Sequence, residues 1–317
     1  MSRLVVTDHT FADTIPEEKL ARERGAEFSG GHCETEEETL ALTAGADVVL
    51  VNFAPITEQV LAGLADGATV VRYGIGYDNV DVAAAKRLGV AVANVPDYGT
   101  GTVADHAAAC LLALLRKLTA YDAAVRRDGW CEPRALGSLP AFSSTTVGLI
   151  GAGRIALGLA RRLRPFGFRV LACDPYAQPD AVREAGVELV ELAELLAGAD
   201  AISLHVPVTD ETHHLVDGRF LSRLRPGAVL VNTSRGALVD EHALAASLTE
   251  GHLAAAALDV FDPEPLAEDT PLRGLTNVIL TPHAAFYSDD SVEALQRLAT
   301  EEAGRALAGE PLRSRVA

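Results

Sequence analysis

Positive charge is scarce in this chain. Its 317 residues carry 27 Lys and Arg against 44 Asp and Glu, for a formal net charge of −17, and only Lys19, Lys86 and Lys117 are lysines. Such a balance offers no basic footprint to a polyanion, so direct nucleic-acid binding is excluded as the principal function. Cysteine is equally sparse. Cys33, Cys110, Cys131 and Cys173 stand far apart with no CxxC pair, which indicates neither a zinc site nor a disulfide framework. The apolar stretch from Ala107 to Leu115 is too short to span a bilayer. The opening MSRLVVTDHT has neither the basic region nor the apolar core of a secretory signal. The expectation is a cytoplasmic protein with no metal site and no membrane attachment.

What is present points to a packed α/β protein. Apolar residues make up 49% and charged residues 22%, and a chain of this length exceeds one ordinary core and suits two domains with a cleft between them. Short β-branched runs at 4–7, 48–51, 69–72 and 90–94 alternate with helical patterns at 16–24, 58–64 and 82–88, which argues parallel βαβ units. A helical stretch follows from about Val103 to Arg127, bounded by Gly101 and Gly129 and too long for a crossover helix. It reads as a connector and as a surface for dimerisation. After a Gly, Pro and Ser-rich loop, strands are expected at 146–150, 169–173, 201–206, 228–232, 254–259 and 278–280, with helices at 155–163 and 241–249. A last helix at about 291–308 would be capped by Asp289, Asp290 or Ser291. The acidic run Glu34, Glu36, Glu37, Glu38 reads as solvated surface or a helix start.

The strand ending at Ile150 runs straight into Gly151-Ala152-Gly153-Arg154-Ile155-Ala156, the GxGxxA form of the dinucleotide fingerprint. Gly151 permits the tight turn, Gly153 lets a pyrophosphate approach the backbone, and Ala156 allows close helix packing. The phosphates would rest on the helix N-terminus beside Arg154 and Ile155. Asp174 ends the next strand, 23 positions beyond Gly151. It would accept bonds from the adenosine ribose and repel a 2′-phosphate, favouring NAD over NADP.

Three further segments leave polar residues just beyond expected strands: Asn232-Thr233-Ser234-Arg235-Gly236, the run from Ala257 through Asp259 to Glu264-Pro265, and Thr281-Pro282-His283-Ala284-Ala285. Taken singly, each has an ordinary reading as surface charge, turn residue or loop hydrogen-bonder. The carboxyl ends of parallel strands line a ligand crevice, where Arg235, Glu264 and His283 would converge.

Together with RYGIGYDNVD, GAGRIA, HVPVTDETHHLV, VNTSRGALVDEHAL, ALDVFDPEP and TPHAA, these segments resemble the D-isomer-specific 2-hydroxyacid dehydrogenase family over nearly the whole chain. The resemblance implies two doubly wound parallel-sheet domains: a flavodoxin-like substrate domain from residues 1–100 and 283–317, and an inserted Rossmann NAD-binding domain from 101–282. It assigns Arg235 to the substrate carboxylate and reacting oxygen, a task suited to a planar guanidinium. It makes His283 the general acid and base, with Glu264 orienting its ring and favouring the imidazolium. It places Asp259 at the nicotinamide carboxamide, His205, Val206 and Pro207 on the adenine side, and Thr233 and Ser234 among the cofactor contacts. The substrate would meet Phe53, Arg72, Tyr73, Gly74 and Phe286. His213 and His214 read as surface residues.

Two stretches, from Val71 to Asp81 and from Pro282 to Ser288, are closer to the C-terminal-binding-protein-like branch, where a Trp stands at the position of Phe286. The implied activity is NAD-dependent reduction of a 2-oxo acid to a D-2-hydroxy acid by a homodimer. Two alternatives stand beside it: an NAD(H)-sensing corepressor-like regulator, and a phosphoglycerate or phosphono-acid dehydrogenase. The loop from Val51 to Thr57 has no Lys or Arg to meet a remote phosphate, which ranks phosphoglycerate low. Arg72 and Arg235 together keep a dianionic acid open.

Overall fold

Val48, Val49, Leu50 and Val51 are all buried, and so are Ala201, Ile202, Ser203 and Leu204. A strand with no exposed face needs cover on both sides, which in this chain comes from helices flanking parallel sheets. The computed structural model describes residues 1–317 and divides into two compact units, Met1–Gly99 with Tyr287–Ala317, and Thr100–Phe286. The sequence expectation drew the boundaries at 100/101 and 282/283. Residues 283–286 fall with the second unit, and Asp259 holds them there by hydrogen bonds described below. No helix is long and apolar enough to cross a membrane.

The first unit contains β1 (Arg3–Val6), β2 (Glu27–Gly30), β3 (Val48–Val51), β4 (Thr69–Arg72) and β5 (Ala91–Ala93), all parallel in the order β2-β1-β3-β4-β5. This is the flavodoxin-like doubly wound order. Leu4, Val6, Leu50 and Val71 pack against Leu295, Ala299 and Ala303 of helix Asp289–Leu307, so the end of the chain completes the first core.

The second strand and the cap of the last helix were missed in the sequence, while the acidic run is the helix start that was one of its two readings. β2, EFSG, is a partly exposed edge strand without an apolar alternation. The acidic run opens helix Glu36–Thr43: the Thr35 side chain accepts from the Glu38 amide while Glu38 returns to the Thr35 amide. The last helix is capped by Ser288 rather than by Asp289, Asp290 or Ser291. Ser288 is the extended residue before the helix, and the two aspartates occupy the first turn, where negative charge suits the dipole.

The second unit contains β6 (Thr146–Ile150), β7 (Arg169–Cys173), β8 (Glu188–Leu189), β9 (Ala201–Leu204), β10 (Ala228–Asn232), β11 (Leu253–Leu258) and β12 (Val278–Leu280). They form one parallel sheet in the order β12-β11-β10-β9-β6-β7-β8, so the strand order reverses between β6 and β9. In such a sheet the crevice for a ligand opens at that reversal, beyond the carboxyl ends of the strands.

The expected continuous helix from Val103 to Arg127 is two helices, Thr100–Leu115 and Leu118–Asp128. Lys117 breaks it by adopting the left-handed conformation (φ 52°), with its ammonium donating to the Leu136 carbonyl. Tyr121 Oη then donates to the Pro133 carbonyl at 2.7 Å. The tertiary bonds to the 133–136 loop redirect the second helix, and helical periodicity could not register them. Helix Thr100–Leu115 packs on helix Arg154–Leu163, where Gly158 would bring any added Cβ within 3.3 Å of Ala104 Cβ.

Candidate active site

The first part of the site is built where β6 ends. Gly151 has φ 96°, and a Cβ there would lie 2.6 Å from the carbonyl oxygen of His205, so the turn requires glycine twice over. The Asp174 carboxylate accepts from the Ala152 amide at 2.8 Å and from the Tyr176 amide at 2.8 Å. Besides any contact with a ribose, Asp174 therefore braces the glycine turn. Gly153 stands before helix Arg154–Leu163 without a side chain to cap it, and nothing lies within 4 Å of the place its Cβ would occupy. Arg154 is exposed beside it and Ile155 half-buried.

Open space at a helix N-terminus, together with the helix dipole, suits a phosphate. Nearby chemistry agrees: Thr233 Oγ1 is buried with no hydrogen-bond partner, a donor and acceptor left for a ligand. Burial pushes the His205 imidazole down to about 4, so it stays neutral at ordinary pH, and its Nε2 is 2.9 Å from Ser203 Oγ. Val206 is half-buried and Pro207 exposed, and Ser234 Oγ donates to the Leu204 carbonyl at 2.7 Å. These residues fit a dinucleotide.

The second part lies beyond β10, β11 and β12. Asn232 is fully buried at the end of β10; its side chain donates to the Arg235 carbonyl at 2.8 Å and accepts from the Ser234 amide at 3.0 Å. That turn fixes Arg235, whose Nη1 donates to the Ser234 carbonyl at 2.7 Å. The next residue, Gly236, has its backbone against the 261–262 peptide: a Cβ there would be 1.9 Å from the Phe261 carbonyl carbon. This close approach brings the Arg235 turn against the loop carrying Glu264. Oε1 of Glu264 accepts from the Phe261 amide at 3.0 Å, and Oε2 stands 2.7 Å from Nδ1 of His283. Burial opposes ionisation of Glu264, yet the His283 hydrogen bond and charge, the Phe261 amide and the Arg235 charge hold its carboxyl below the usual range.

His283 sits at φ 49°, a left-handed conformation uncommon for a non-glycine residue. Asp259, 1% exposed at the end of β11, maintains it. Its carboxylate accepts from Thr281 Oγ1 at 2.5 Å and from the amides of Ala284 at 2.9 Å and Ala285 at 2.8 Å, and its carbonyl accepts from the His283 amide at 2.7 Å. Asp259 is thus an anchor of the histidine turn in addition to the cofactor role the resemblance gives it. Phe286 lies edge-on to the His283 ring, with centroids 6.1 Å apart.

The first unit positions the remaining expected residues. Arg72 ends β4, donates through Nη1 to the Tyr73 carbonyl at 2.7 Å, and lies 5.9 Å from the Phe53 ring centroid. Gly74 (φ 139°) accommodates this fold-back, since a Cβ there would collide with Arg72 Nη1 at 1.6 Å. Tyr73 departs from the expected substrate contact: its ring is 1% exposed in the core and its hydroxyl donates to the buried Glu17 at 2.9 Å.

Phe53 is exposed, on a loop that sequence reasoning left without an anchor. The anchor is Asp8, whose carboxylate accepts from the amides of Asn52, Phe53 and Ala54 at 3.0, 2.6 and 3.3 Å. An aspartate two residues beyond a buried strand was the available signal. His213 and His214 are exposed and stacked on each other at 4.1 Å. No group of three or more His, Cys, Asp or Glu side chains is arranged to hold a metal.

Residues 108–285 match the family model described as D-isomer specific 2-hydroxyacid dehydrogenase, NAD binding domain. The chain is 42% identical over 272 residues to D-3-phosphoglycerate dehydrogenase of Mycobacterium tuberculosis, covering 86% of this chain and 51% of that protein. It therefore spans about half the length of that relative. It is 36% identical over 309 residues to (S)-sulfolactate dehydrogenase of Chromohalobacter salexigens, covering 97% and 99% of the two chains. Among solved structures, D-lactate dehydrogenase from Aquifex aeolicus, complexed with NAD and lactic acid, superposes with a TM-score of 0.87 at 27% identity, covering 97% of this chain and 96% of that one. The chain belongs to the D-isomer-specific 2-hydroxyacid dehydrogenase family, and its second unit is the family's NAD-binding unit.

Proposed function

We propose that this chain is an NAD-dependent oxidoreductase interconverting a 2-oxo acid and a D-2-hydroxy acid. The observation that carries the reading is the Glu264–His283 pair at 2.7 Å, set beside Arg235 on the sheet whose glycine turn suits a dinucleotide. Bound NAD supplies or takes up the hydride. With Nδ1 of His283 held by Glu264, Nε2 delivers a proton to the carbonyl oxygen during reduction and removes it from the hydroxyl in the reverse direction. Arg235 binds the carboxylate and polarises the reacting carbonyl through charge-assisted hydrogen bonds. The residues 101–282 would hold the cofactor, with Asp174 selecting NAD over NADP, and residues 1–100 with the end of the chain would hold the substrate.

Arg72 adds a second cation to the residues assigned to the substrate, which favours an acid with another anionic group. The relative named (S)-sulfolactate dehydrogenase supports that class. Exposed Leu118, Val125 and Trp130 on and just after helix Leu118–Asp128 support a homodimer, and the protein would work in the cytoplasm on a small molecule, with no nucleic acid as partner.

The test is a steady-state assay of the purified protein with NADH against glyoxylate, pyruvate, phenylpyruvate, 3-sulfopyruvate and 3-phosphohydroxypyruvate. Turnover of at least one, best with a dianion, is expected. Retained NADH binding with no turnover of any acid would favour the regulatory alternative instead.

A further inference from the structure

His106 belongs to no part of the site described so far. It projects from helix Thr100–Leu115 with its side chain 23% exposed, and its Nε2 lies 3.2 Å from Thr281 Oγ1 and 3.8 Å from Asp259 Oδ1. The direction of the bonds follows from the chemistry of the three groups. A carboxylate only accepts, so the single hydroxyl proton of Thr281 goes to Asp259 at 2.5 Å. Thr281 Oγ1 can then only accept from the imidazole, which places the His106 proton on Nε2. The chain of donation runs from His106 to Thr281 to Asp259, and the same carboxylate receives the amides of Ala284 and Ala285 on the far side of His283.

We infer that His106 and Thr281 are positioning residues that latch the His283 turn. Thr281 and the two amides reach Asp259 from either side of His283, closing a loop around the left-handed residue, and His106 fixes the hydroxyl rotor that completes it. Without the latch, the turn loses the bonds that offset the backbone strain of a left-handed non-glycine residue. His283 Nδ1 would then no longer be held at Glu264, since that bond depends on where the turn places the ring. The inference rests on the reading of His283 as the acid and base of a dehydrogenase.

The experiment compares Thr281→Val and His106→Leu with Thr281→Ser and His106→Gln, each folded variant being checked by thermal melting and NADH affinity. Two quantities are read: hydrogen exchange of the Ala284 and Ala285 amides without ligand, and kcat with NADH and the best acid of the panel above. The Val and Leu variants are expected to lose at least about tenfold in amide protection and roughly 10- to 100-fold in kcat, the cost of a misplaced reacting group, with NADH affinity unaltered. Ser and Gln, which keep a hydroxyl and an N–H donor, should restore both.

Wild-type protection in Thr281→Val, or lost protection with wild-type kcat, would overturn the latch. So would a failure of Ser and Gln to restore either quantity. If Thr281→Val does not fold, the His106 pair decides alone. Absence of turnover in the unmodified protein would refute the dehydrogenase reading while amide protection still tested the latch.

Discussion

Oε2 of Glu264 and Nδ1 of His283 are joined at 2.7 Å across 19 residues of sequence, while Oε1 of the same carboxylate is held by the Phe261 amide. Both carboxylate oxygens are committed, so Glu264 acts as a fixed bracket for the ring. In the proposed reaction the proton in play is the one on Nε2.

Removing either partner separates chemistry from binding. His283→Ala should lower kcat by roughly 10² to 10⁴ while NADH affinity stays near the original. Glu264→Gln should cost less, because an amide still holds Nδ1 but no longer stabilises the imidazolium. Arg235→Ala should damage both KM for the acid and kcat. An unchanged kcat in His283→Ala, measured by NADH oxidation, would refute the assignment.

The two fingerprint glycines should respond differently to alanine. Gly151→Ala meets the His205 carbonyl oxygen at 2.6 Å and forces φ 96° on an L residue, so it should destabilise the second unit by about 3 kcal/mol or more. At Gly153, where φ is −74° and the space is open, alanine should leave stability within about 0.5 kcal/mol. The NADH affinity of Gly153→Ala should still fall at least about tenfold, since the methyl occupies the place assigned to a phosphate. Urea denaturation and fluorescence titration with NADH check the pair.

Asp174 has two tasks in this structure, which makes Asp174→Ala a compound change. It removes acceptors for the Ala152 and Tyr176 amides and should lower stability by about 1 to 2 kcal/mol. It should also weaken NADH binding and narrow the difference between NADH and NADPH. Equal affinity for the two cofactors in the unmodified protein would remove the role of Asp174 in choosing between them.

His205 supplies a pH dependence of stability with a definite sign. Its imidazole titrates at about 4 in the folded protein and near 6.5 unfolded, so between those values the unfolded chain binds more protons. Stability should be fully present above about pH 6.5 and fall as the pH drops toward 4, by no more than about 3 kcal/mol from this residue. Thermal melts of the ligand-free protein at pH 7 and pH 5 should show the decline, and His205→Gln should flatten it.

Much of the second unit was legible locally. The strands at 146–150, 169–173, 228–232 and 278–280 fall where β-branched and aliphatic runs are bounded by turns, and the GxGxxA turn follows its strand as expected. The errors share a cause. The break at Lys117, the edge strand EFSG and the burial of Tyr73 are set by partners far along the chain: the Leu136 carbonyl, the neighbouring β1 strand and the Glu17 carboxylate.

Sequence alone determined most element types, the parallel architecture, the dinucleotide turn and the residue types able to transfer a proton. Those signals act over a few residues, through hydrophobic periodicity, capping and the φ freedom of glycine. Only the tertiary structure decided that Gly236 lets the Arg235 turn touch the Glu264 loop, that Asp259 ties down both sides of His283, and that Asp8 gathers the amides of residues 52–54. Each of these depends on which loops a twisted parallel sheet delivers to the same edge, and that placement follows from packing the whole unit rather than from any local run of residues.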